Sequence, residues 1–228
     1  MREIVLDTET TGLDPFQGHR VVEIGCVELI NRIPTGATFH RYLNPERDMP
    51  AEAFNVHGLS VEFLKDKPLF GDVCDELLTF LSDATLIAHN ASFDYGFLCA
   101  ELERCKREAL MRDRVIDTIA LARRKHSAGP YSLDAMCARY GIDSSRRTKH
   151  GALLDAELLA EVYLELIGAR QASLILLDTP GGLNGKRAIA AQRPIALPVR
   201  ITEADLAAHR DFVATLGETP LWRQYFPL

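Results

Sequence analysis

The chain has 228 residues, of which 47% are hydrophobic and 25% are charged. These values are typical of an ordinary globular protein, large enough for one sizeable α/β core with a smaller appendage, or for two small domains. The 26 basic and 32 acidic residues give a net charge of −6, which excludes nucleic-acid binding through a general positive field. Any contact with nucleic acid would need bridging metal ions or a partner.

The cysteines and the N-terminal residues indicate the compartment. The five cysteines are odd in number and have no Cys-x-x-Cys spacing, which argues against a zinc ribbon or a disulfide framework and fits a reducing cytosol. Arg2 and Glu3 lead directly into an apolar run, so no signal peptide is expected, and no apolar run reaches membrane-spanning length. We therefore expect a soluble cytoplasmic protein without a membrane partner.

Two acidic side chains follow the first apolar run. Ile4 to Leu6 is short, branched and apolar, which predicts a buried strand. Because alternate residues of a strand point the same way, Asp7 and Glu9 can project towards one point. Two carboxylates held together repel unless a cation lies between them, and Mg²⁺ and Mn²⁺ prefer such oxygen ligands. The simpler alternative is a solvated strand end, where acids and threonines are common.

The remaining apolar periods predict an α/β domain. Val21–Ile30 and Thr38–Leu43 predict antiparallel strands joined through a turn region at Asn31–Gly36, and two short strands are predicted at Leu86–Ala88 and Val115–Ile116. Helical spacing predicts short turns near 52–58 and helices near residues 72–81, 93–102, 118–125, 132–140 and 152–167. Strands that alternate with helices after an opening meander indicate a mixed sheet flanked by helices.

The composition changes after Leu177. Residues 178–185 are rich in turn residues and poor in apolar ones, which is typical of a flexible linker. Further on, Thr202 caps a predicted helix that ends near Thr215, and the aromatic residues of 220–226 lie on a tail too short to bury them. We therefore predict a catalytic domain at residues 1–177, a flexible linker at 178–193 and a C-terminal docking segment at 194–228.

Three more polar residues lie where the predicted elements begin. Asp94 follows the buried strand Leu86–Ala88 in the first turn of a helix, a position where acids are common because of the helix dipole alone. His150 precedes the last predicted helix and Asp155 lies in its second turn. An exposed loop histidine is the simpler reading of His150, whereas a carboxylate among leucines, as at Asp155, is costly to bury without a partner.

Together these residues indicate metal-dependent phosphodiester hydrolysis. Asp7, Glu9 and Asp155 would hold one divalent ion, and Asp7 would bridge to a second ion held by Asp94. Two ions of Mg²⁺ or Mn²⁺ suit an in-line attack at phosphorus. His150 is suited to accept the proton of the attacking water, because histidine changes protonation near neutral pH.

The three motifs resemble a known family. Asp7–Gly12, Asn90–Asp94 and His150–Asp155 are similar to the exonuclease motifs of the DEDD superfamily in its histidine-containing branch, DEDDh. Within this branch the chain resembles the family of proofreading epsilon subunits of bacterial DNA polymerase III. The resemblance implies a ribonuclease H-like fold and removal of mononucleotides from a DNA 3′ end. It also implies that Asp7, Glu9, Asp94 and Asp155 are metal ligands and that His150 is the general base.

The resemblance extends to residues that contact substrate. Thr8, Glu52 and His57 correspond to positions near the terminal nucleotide, and Leu13 is similar to a residue that wedges against the terminal base. Without the resemblance, His57 would be read as a loop histidine beside the turn residue Gly58.

The resemblance also implies partners. Gln171, Leu174 and Leu176 resemble a sliding-clamp-binding peptide, although a helix end that runs into an apolar linker would look alike. The tail, with Leu206, Leu221 and Trp222, resembles the segment that anchors the exonuclease to the polymerase III alpha subunit. The family also allows a small theta-like subunit as a partner.

Two alternative functions remain open at this point. A related enzyme of the same branch could act on RNA ends, because the metal motifs are shared. A non-catalytic adaptor between polymerase and clamp is a different class of function. The long C-terminal extension favours the polymerase-bound exonuclease over the first alternative, and the presence of all five catalytic positions makes the adaptor an additional role.

Overall fold

The structure is a computed structural model, and it describes residues 1–145, 147, 149–169 and 201–216. The chain divides into two compact units, Met1–Leu174 and Ile175–Leu228. The first unit holds a five-stranded sheet with the strand order β3-β2-β1-β4-β5. The strands are β1 (Arg2–Thr10), β2 (Val21–Ile30), β3 (Ile33–Tyr42), β4 (Thr85–Ala88) and β5 (Val115–Asp117).

The sheet is mixed, as the sequence predicts. β2 is antiparallel to both β1 and β3, whereas β1, β4 and β5 run parallel to one another. β1 is therefore the central strand, with an antiparallel neighbour on one side and a parallel one on the other. It is also longer than the predicted core Ile4–Leu6, so that Asp7 and Glu9 lie within the strand.

The predicted third strand and its turn need correction. β3 begins at Ile33 rather than Thr38, and the turn contains only Asn31 and Arg32, with φ angles of 51° and 67°. Two central residues with positive φ are typical of the two-residue turns that match the twist of a hairpin. The first six residues of β3 are exposed at the sheet edge, so no buried face imposes an apolar alternation on them.

The described residues of the first unit also form seven α-helices. α1 and α2 are short: Gly58 ends α1 with a φ of 76°, and the Ser60 side chain accepts from Phe63 N at the start of α2. Asn90 precedes α4 in a left-handed conformation and makes no side-chain capping hydrogen bond. The bounds are α1 (Ala51–His57), α2 (Val61–Leu64), α3 (Phe70–Leu81), α4 (Ala91–Arg104), α5 (Thr118–Lys125), α6 (Leu133–Tyr140) and α7 (Ala152–Leu166).

Both faces of the sheet are covered by apolar packing. Ile4 and Leu6 point into a cluster that includes Phe97 and other side chains of α3 and α4. Val5 points into a second cluster built largely from α5, α6 and α7, including Leu159. The alternation along β1 therefore places Asp7 and Glu9 on the side of α7, and Thr8 on the side of α4.

A glycine allows α7 to approach the sheet closely. Gly25 of β2 pairs with Asp7 of β1, and a Cβ atom at Gly25 would overlap backbone atoms of Ala152 and Leu153. Only glycine leaves room for the start of α7 to lie directly on the strand. This contact places the first turn of α7 beside Asp7.

In the second unit, α8 (Glu203–Ala214) is described. As predicted, Thr202 caps it, and the Thr202 hydroxyl accepts from Asp205 N while the Asp205 carboxylate accepts from Thr202 N. Among the residues that the structure describes, no helix combines the length and apolar character needed to cross a membrane.

Candidate active site

Four carboxylates gather at the end of β1. Asp7 and Glu9 project from β1, Asp155 comes from the first turn of α7, and Asp94 comes from the first turn of α4 on the other side of the sheet. Asp155 was predicted in the second turn, but it lies in the first turn of α7, which starts at Ala152 as predicted. Asp94 and Asp155 are each 2% exposed and Glu9 is 8% exposed. The cluster is therefore largely removed from solvent.

Thr8 fixes Asp94 against the central strand. Its backbone N donates to Asp94 Oδ1 at 3.0 Å, and its hydroxyl donates to the same oxygen at 2.7 Å. Both donors favour the ionised carboxylate and oppose the effect of burial. Burial prevails and raises the pKa of Asp94 to about 7.

The other acids of β1 have raised pKa values as well. Burial, followed by repulsion from Asp94, Glu9 and Asp155, raises the pKa of Asp7 well above its ordinary value. Burial also raises the pKa of Glu9 to about 8, with added repulsion from Asp155 and from Glu23, its partner on β2. Buried carboxylates that repel one another in this way resist ionisation unless a cation is close.

Asp155 differs because cationic groups face it. Arg147 donates from Nε to Oδ1 at 2.5 Å and from Nη2 to Oδ2 at 2.7 Å. His150 Nδ1 lies 3.2 Å from Oδ2. Burial raises the pKa of Asp155, but the hydrogen bonds from His150 and Arg147 outweigh it and hold the pKa below its ordinary value.

The donor set fits a divalent cation. One ligand atom each from Glu9, His150 and Asp155 lie within 4.8 Å of one another. The carboxylates of Asp7 and Asp94 interact electrostatically with this group. A cluster of carboxylate oxygens is the ligand type of Mg²⁺ and Mn²⁺, and such an ion would relieve the repulsion that raises these pKa values.

Comparison with known proteins places this geometry in a family. Residues 4–163 match the family model described as exonuclease. The DNA polymerase III subunit epsilon of Rickettsia typhi is 49% identical over 219 residues, covering 93% of this chain and 96% of that protein. The subunit of the same name from Escherichia coli is 43% identical over 236 residues, covering 97% of each chain.

The chain belongs to the family of DNA polymerase III epsilon subunits. It is therefore an exonuclease, and the resemblance seen in its three motifs is confirmed. The solved nuclease domain of 3′hExo, described as a DEDDh family member bound to rAMP, has a TM-score of 0.64 at 16% identity. It covers 74% of this chain and 92% of its own, which shows the shared ribonuclease H-like fold.

A cleft of about 340 Å³ opens beside the acids of this exonuclease. Its walls include Asp7, Asp155 and His150, and also His89, Asp134 and Arg147. Among the four carboxylates and His150, the histidine is the most solvent-accessible, with 45% of its side chain exposed. The His150 imidazole is therefore accessible to water at the mouth of the cleft.

Two of the four predicted substrate residues line a second depression, and His57 and Thr8 do not. Leu13 and Glu52 line a second space of about 340 Å³, and Leu13 is 84% exposed. His57 is buried, and its Nδ1 accepts a hydrogen bond from Leu59 N at 3.0 Å. Burial lowers the pKa of His57, so it is neutral near pH 7.

The predicted partner-binding residues fall mostly outside the described part of the chain. Gln171, Leu174 and Leu176 lie there, as do Leu221 and Trp222. Leu206 is described, on α8, where it is 38% exposed. The roles of these residues remain predictions.

Sequence reasoning missed three ionisable residues of the cleft, which are His89, Asp134 and Arg147. His89 lies at the end of β4, and its Nδ1 is 2.9 Å from the Thr118 hydroxyl, which itself donates to Ala88 O. The position of His89 directly after a buried strand, just before the second motif, was the available signal. Arg147 lies in a basic stretch with Arg146 and Lys149, which is typical of a solvated loop, but its side chain is only 7% exposed.

Proposed function

We propose that this exonuclease removes nucleoside monophosphates from the 3′ end of DNA and thereby proofreads synthesis by a replicative polymerase. The observation that carries the proposal is the convergence of four carboxylates, three of them buried, on one end of β1, with His150 at the mouth of the cleft. Repelling acids in a cleft are characteristic of a metal-dependent centre. The names of the close relatives support DNA replication as its setting.

Asp7, Glu9, Asp94 and Asp155 are the residues proposed to hold two divalent cations, Mg²⁺ or Mn²⁺. Such ions would stabilise charge on the reacting phosphate and on the departing oxygen. The protein contributes the fixed carboxylates that keep the ions in place, and Thr8 orients Asp94 through two hydrogen bonds. Polar neighbours of this kind hold ligands in the orientation that binding needs.

His150 is proposed to accept the proton of the attacking water. Its position beside Asp155 lets that carboxylate orient the imidazole and stabilise the positive charge that it gains. Leu13, Glu52 and His57 are proposed to contact the terminal nucleotide, Leu13 through its exposed apolar side chain. These contacts would direct the 3′ end towards the carboxylates.

The proposed partners are the DNA polymerase III alpha subunit, the sliding clamp and a small theta-like subunit. Attachment to the alpha subunit is proposed for residues 194–228, including Leu206, and clamp binding for residues 171–176. The polymerase named in the relatives' titles supports the first of these assignments. The proposed place of action is the bacterial cytoplasm, where the chromosome is copied.

The activity is tested with a mispaired primer terminus. We expect release of mononucleotides with Mn²⁺ and none with a chelator. We also expect loss of release in Asp7→Ala, whereas Asp83→Ala, an exposed acid before β4, should retain it. Full activity of Asp7→Ala would remove the metal assignment, and a strong preference for short RNA at equal enzyme would favour the RNA-processing alternative.

The attachment is tested by truncation. A chain that ends at Asp178 should keep nuclease activity but no longer co-purify with the alpha subunit. If the truncated chain still forms that complex, the polymerase contact lies in residues 1–178 and the assignment of the tail is wrong.

A further inference from the structure

Arg147 places a positive charge inside the carboxylate cluster. Its guanidinium donates to both oxygens of Asp155, at 2.5 and 2.7 Å, and also to Asp134 Oδ1 at 2.5 Å. Nη2 lies 2.7 Å from His150 Nδ1. The side chains of Arg147 and Asp155 are 7% and 3% exposed, so this ion pair is protected from solvent.

We propose that Arg147 is a resident counter-cation, which offsets part of the negative charge of the acid cluster and competes with a divalent metal ion for Asp155. The inference rests on the proposed metal-dependent function, in which Asp155 is a ligand. It assigns to Arg147 a positioning role that none of the three exonuclease motifs includes.

The competition between Arg147 and a metal ion follows from the hydrogen bonds that the two oxygens of Asp155 accept. A carboxylate that accepts from a guanidinium at both oxygens has its favoured acceptor directions occupied. A metal ion bound to Asp155 must therefore displace at least one of these hydrogen bonds, or tolerate a second positive charge at close range. The charge of Arg147 also lowers the pKa values of Asp7 and Glu9, against the larger effects that raise them, so it acts on carboxylates besides Asp155.

Asp134 limits how far Arg147 must move. The Nη1 contact with Asp134 is independent of the two contacts with Asp155. Arg147 can therefore release Asp155 and still keep one carboxylate partner at the wall of the cleft. An exchange of this kind requires only a side-chain movement.

The test is calorimetric titration of the full chain with Mn²⁺ alone, after metal has been stripped with a chelator. We expect Arg147→Gln to lower the Mn²⁺ dissociation constant roughly 10-fold, because one charge-assisted hydrogen bond is no longer broken on binding. Arg147→Lys, which keeps the charge but cannot bond both oxygens side by side, should fall between it and the original chain. Lys149→Gln removes the same charge from an exposed position two residues away and should change the constant little.

Three results would overturn the inference. An unchanged affinity in Arg147→Gln would mean that Arg147 does not compete with the ion. A weaker affinity, by up to 10- to 100-fold, would mean that Arg147 supports the bound form of Asp155 instead. An equal gain in Mn²⁺ affinity in Lys149→Gln would mean that the effect comes from the net charge of the protein and not from the contact between Arg147 and Asp155. If Arg147→Gln fails to fold, Arg147→Lys decides the question by the same measurement. Absence of Mn²⁺ binding by the original chain, in contrast, would defeat the proposed metal centre itself.

Discussion

The substitution Glu9→Gln should stabilise the fold while it abolishes activity. Glu9 is 8% exposed, and burial together with repulsion from Asp155, Glu23 and Asp94 raises its pKa from 4.5 to about 8. In the unfolded chain the carboxylate is solvated and ionises near 4.5. The folded protein therefore holds a proton that the unfolded chain has already lost at neutral pH.

The sign and size follow from proton linkage. A carboxylate whose pKa is raised by folding costs nothing below about pH 4.5, and stability is lost as the pH rises to about 8. At pH 7.5 the difference between the two states corresponds to roughly 4 kcal/mol, since each pH unit above 4.5 contributes 1.36 kcal/mol. Partial relaxation of the cluster reduces this upper limit, so we expect a gain of about 2–4 kcal/mol for Glu9→Gln.

The measurement is urea unfolding at pH 7.5 in the presence of a chelator. Glu9→Gln should show the higher free energy of unfolding, and the slope of that free energy against pH between 5 and 8 should be smaller than in the original chain. Glu108→Gln removes an exposed carboxylate and should stay within about 0.5 kcal/mol. If Glu9→Gln is no more stable than the original chain, burial and repulsion do not destabilise the Glu9 carboxylate and the electrostatic reasoning is wrong.

Three other substitutions separate chemistry from packing. Thr8→Val removes the hydroxyl that donates to Asp94 and should lower kcat about 10-fold with the fold intact, whereas Thr8→Ser should retain activity; equal rates in both variants would exclude an orienting role. His150→Ala should lower kcat about 10²- to 10⁴-fold and leave Mn²⁺ binding, measured by calorimetry, little changed. A matched loss of Mn²⁺ binding would make His150 a ligand and not a base. Gly25→Ala should destabilise the protein by about 3 kcal/mol in thermal unfolding, because its Cβ meets the backbone of α7. Gly96→Ala, where a Cβ within α4 meets nothing within 4 Å, should stabilise it by about 0.5–1 kcal/mol, and a similar cost at both glycines would refute the close approach.

Most elements could be predicted because a helix or strand with one buried face has apolar residues at a regular spacing in the sequence. α5 and α7 have apolar side chains at helical spacing and lie on the second core, and their predicted bounds agree with the structure to within one residue. The edge strand β3 could not be placed in the same way. Its first six residues are exposed, so their side chains carry no signal of the hydrogen bonds that they make to β2.

The carboxylates of the candidate site could be predicted from the sequence, but the residues that surround them could not. Asp7 and Asp94 occur beside buried strands, and the topology of parallel strands brings such positions to one edge. Arg147 lies in a basic stretch whose charge predicts a solvated loop, and only the fold reveals that the guanidinium turns inward to Asp155. The burial of the Arg147 guanidinium depends on residues that are distant in the chain, so the neighbouring sequence carries no pattern that predicts it.

The location of the acids explains why both faces of the sheet must be covered. Asp94 is carried by α4, which packs on the cluster containing Ile4 and Leu6, and Asp155 is carried by α7, which packs on the cluster containing Val5. Each cluster buries enough apolar surface to hold its helix against repulsion between the carboxylates, which is weaker than the hydrophobic contribution of several buried leucines. Loosening α4 would let Asp94 retreat into solvent, where its pKa would fall towards its ordinary value, and loosening α7 would move Asp155 away from the other acids. Packing on both sides of the sheet therefore keeps the carboxylates close together, and a divalent ion bound among them would relieve their repulsion.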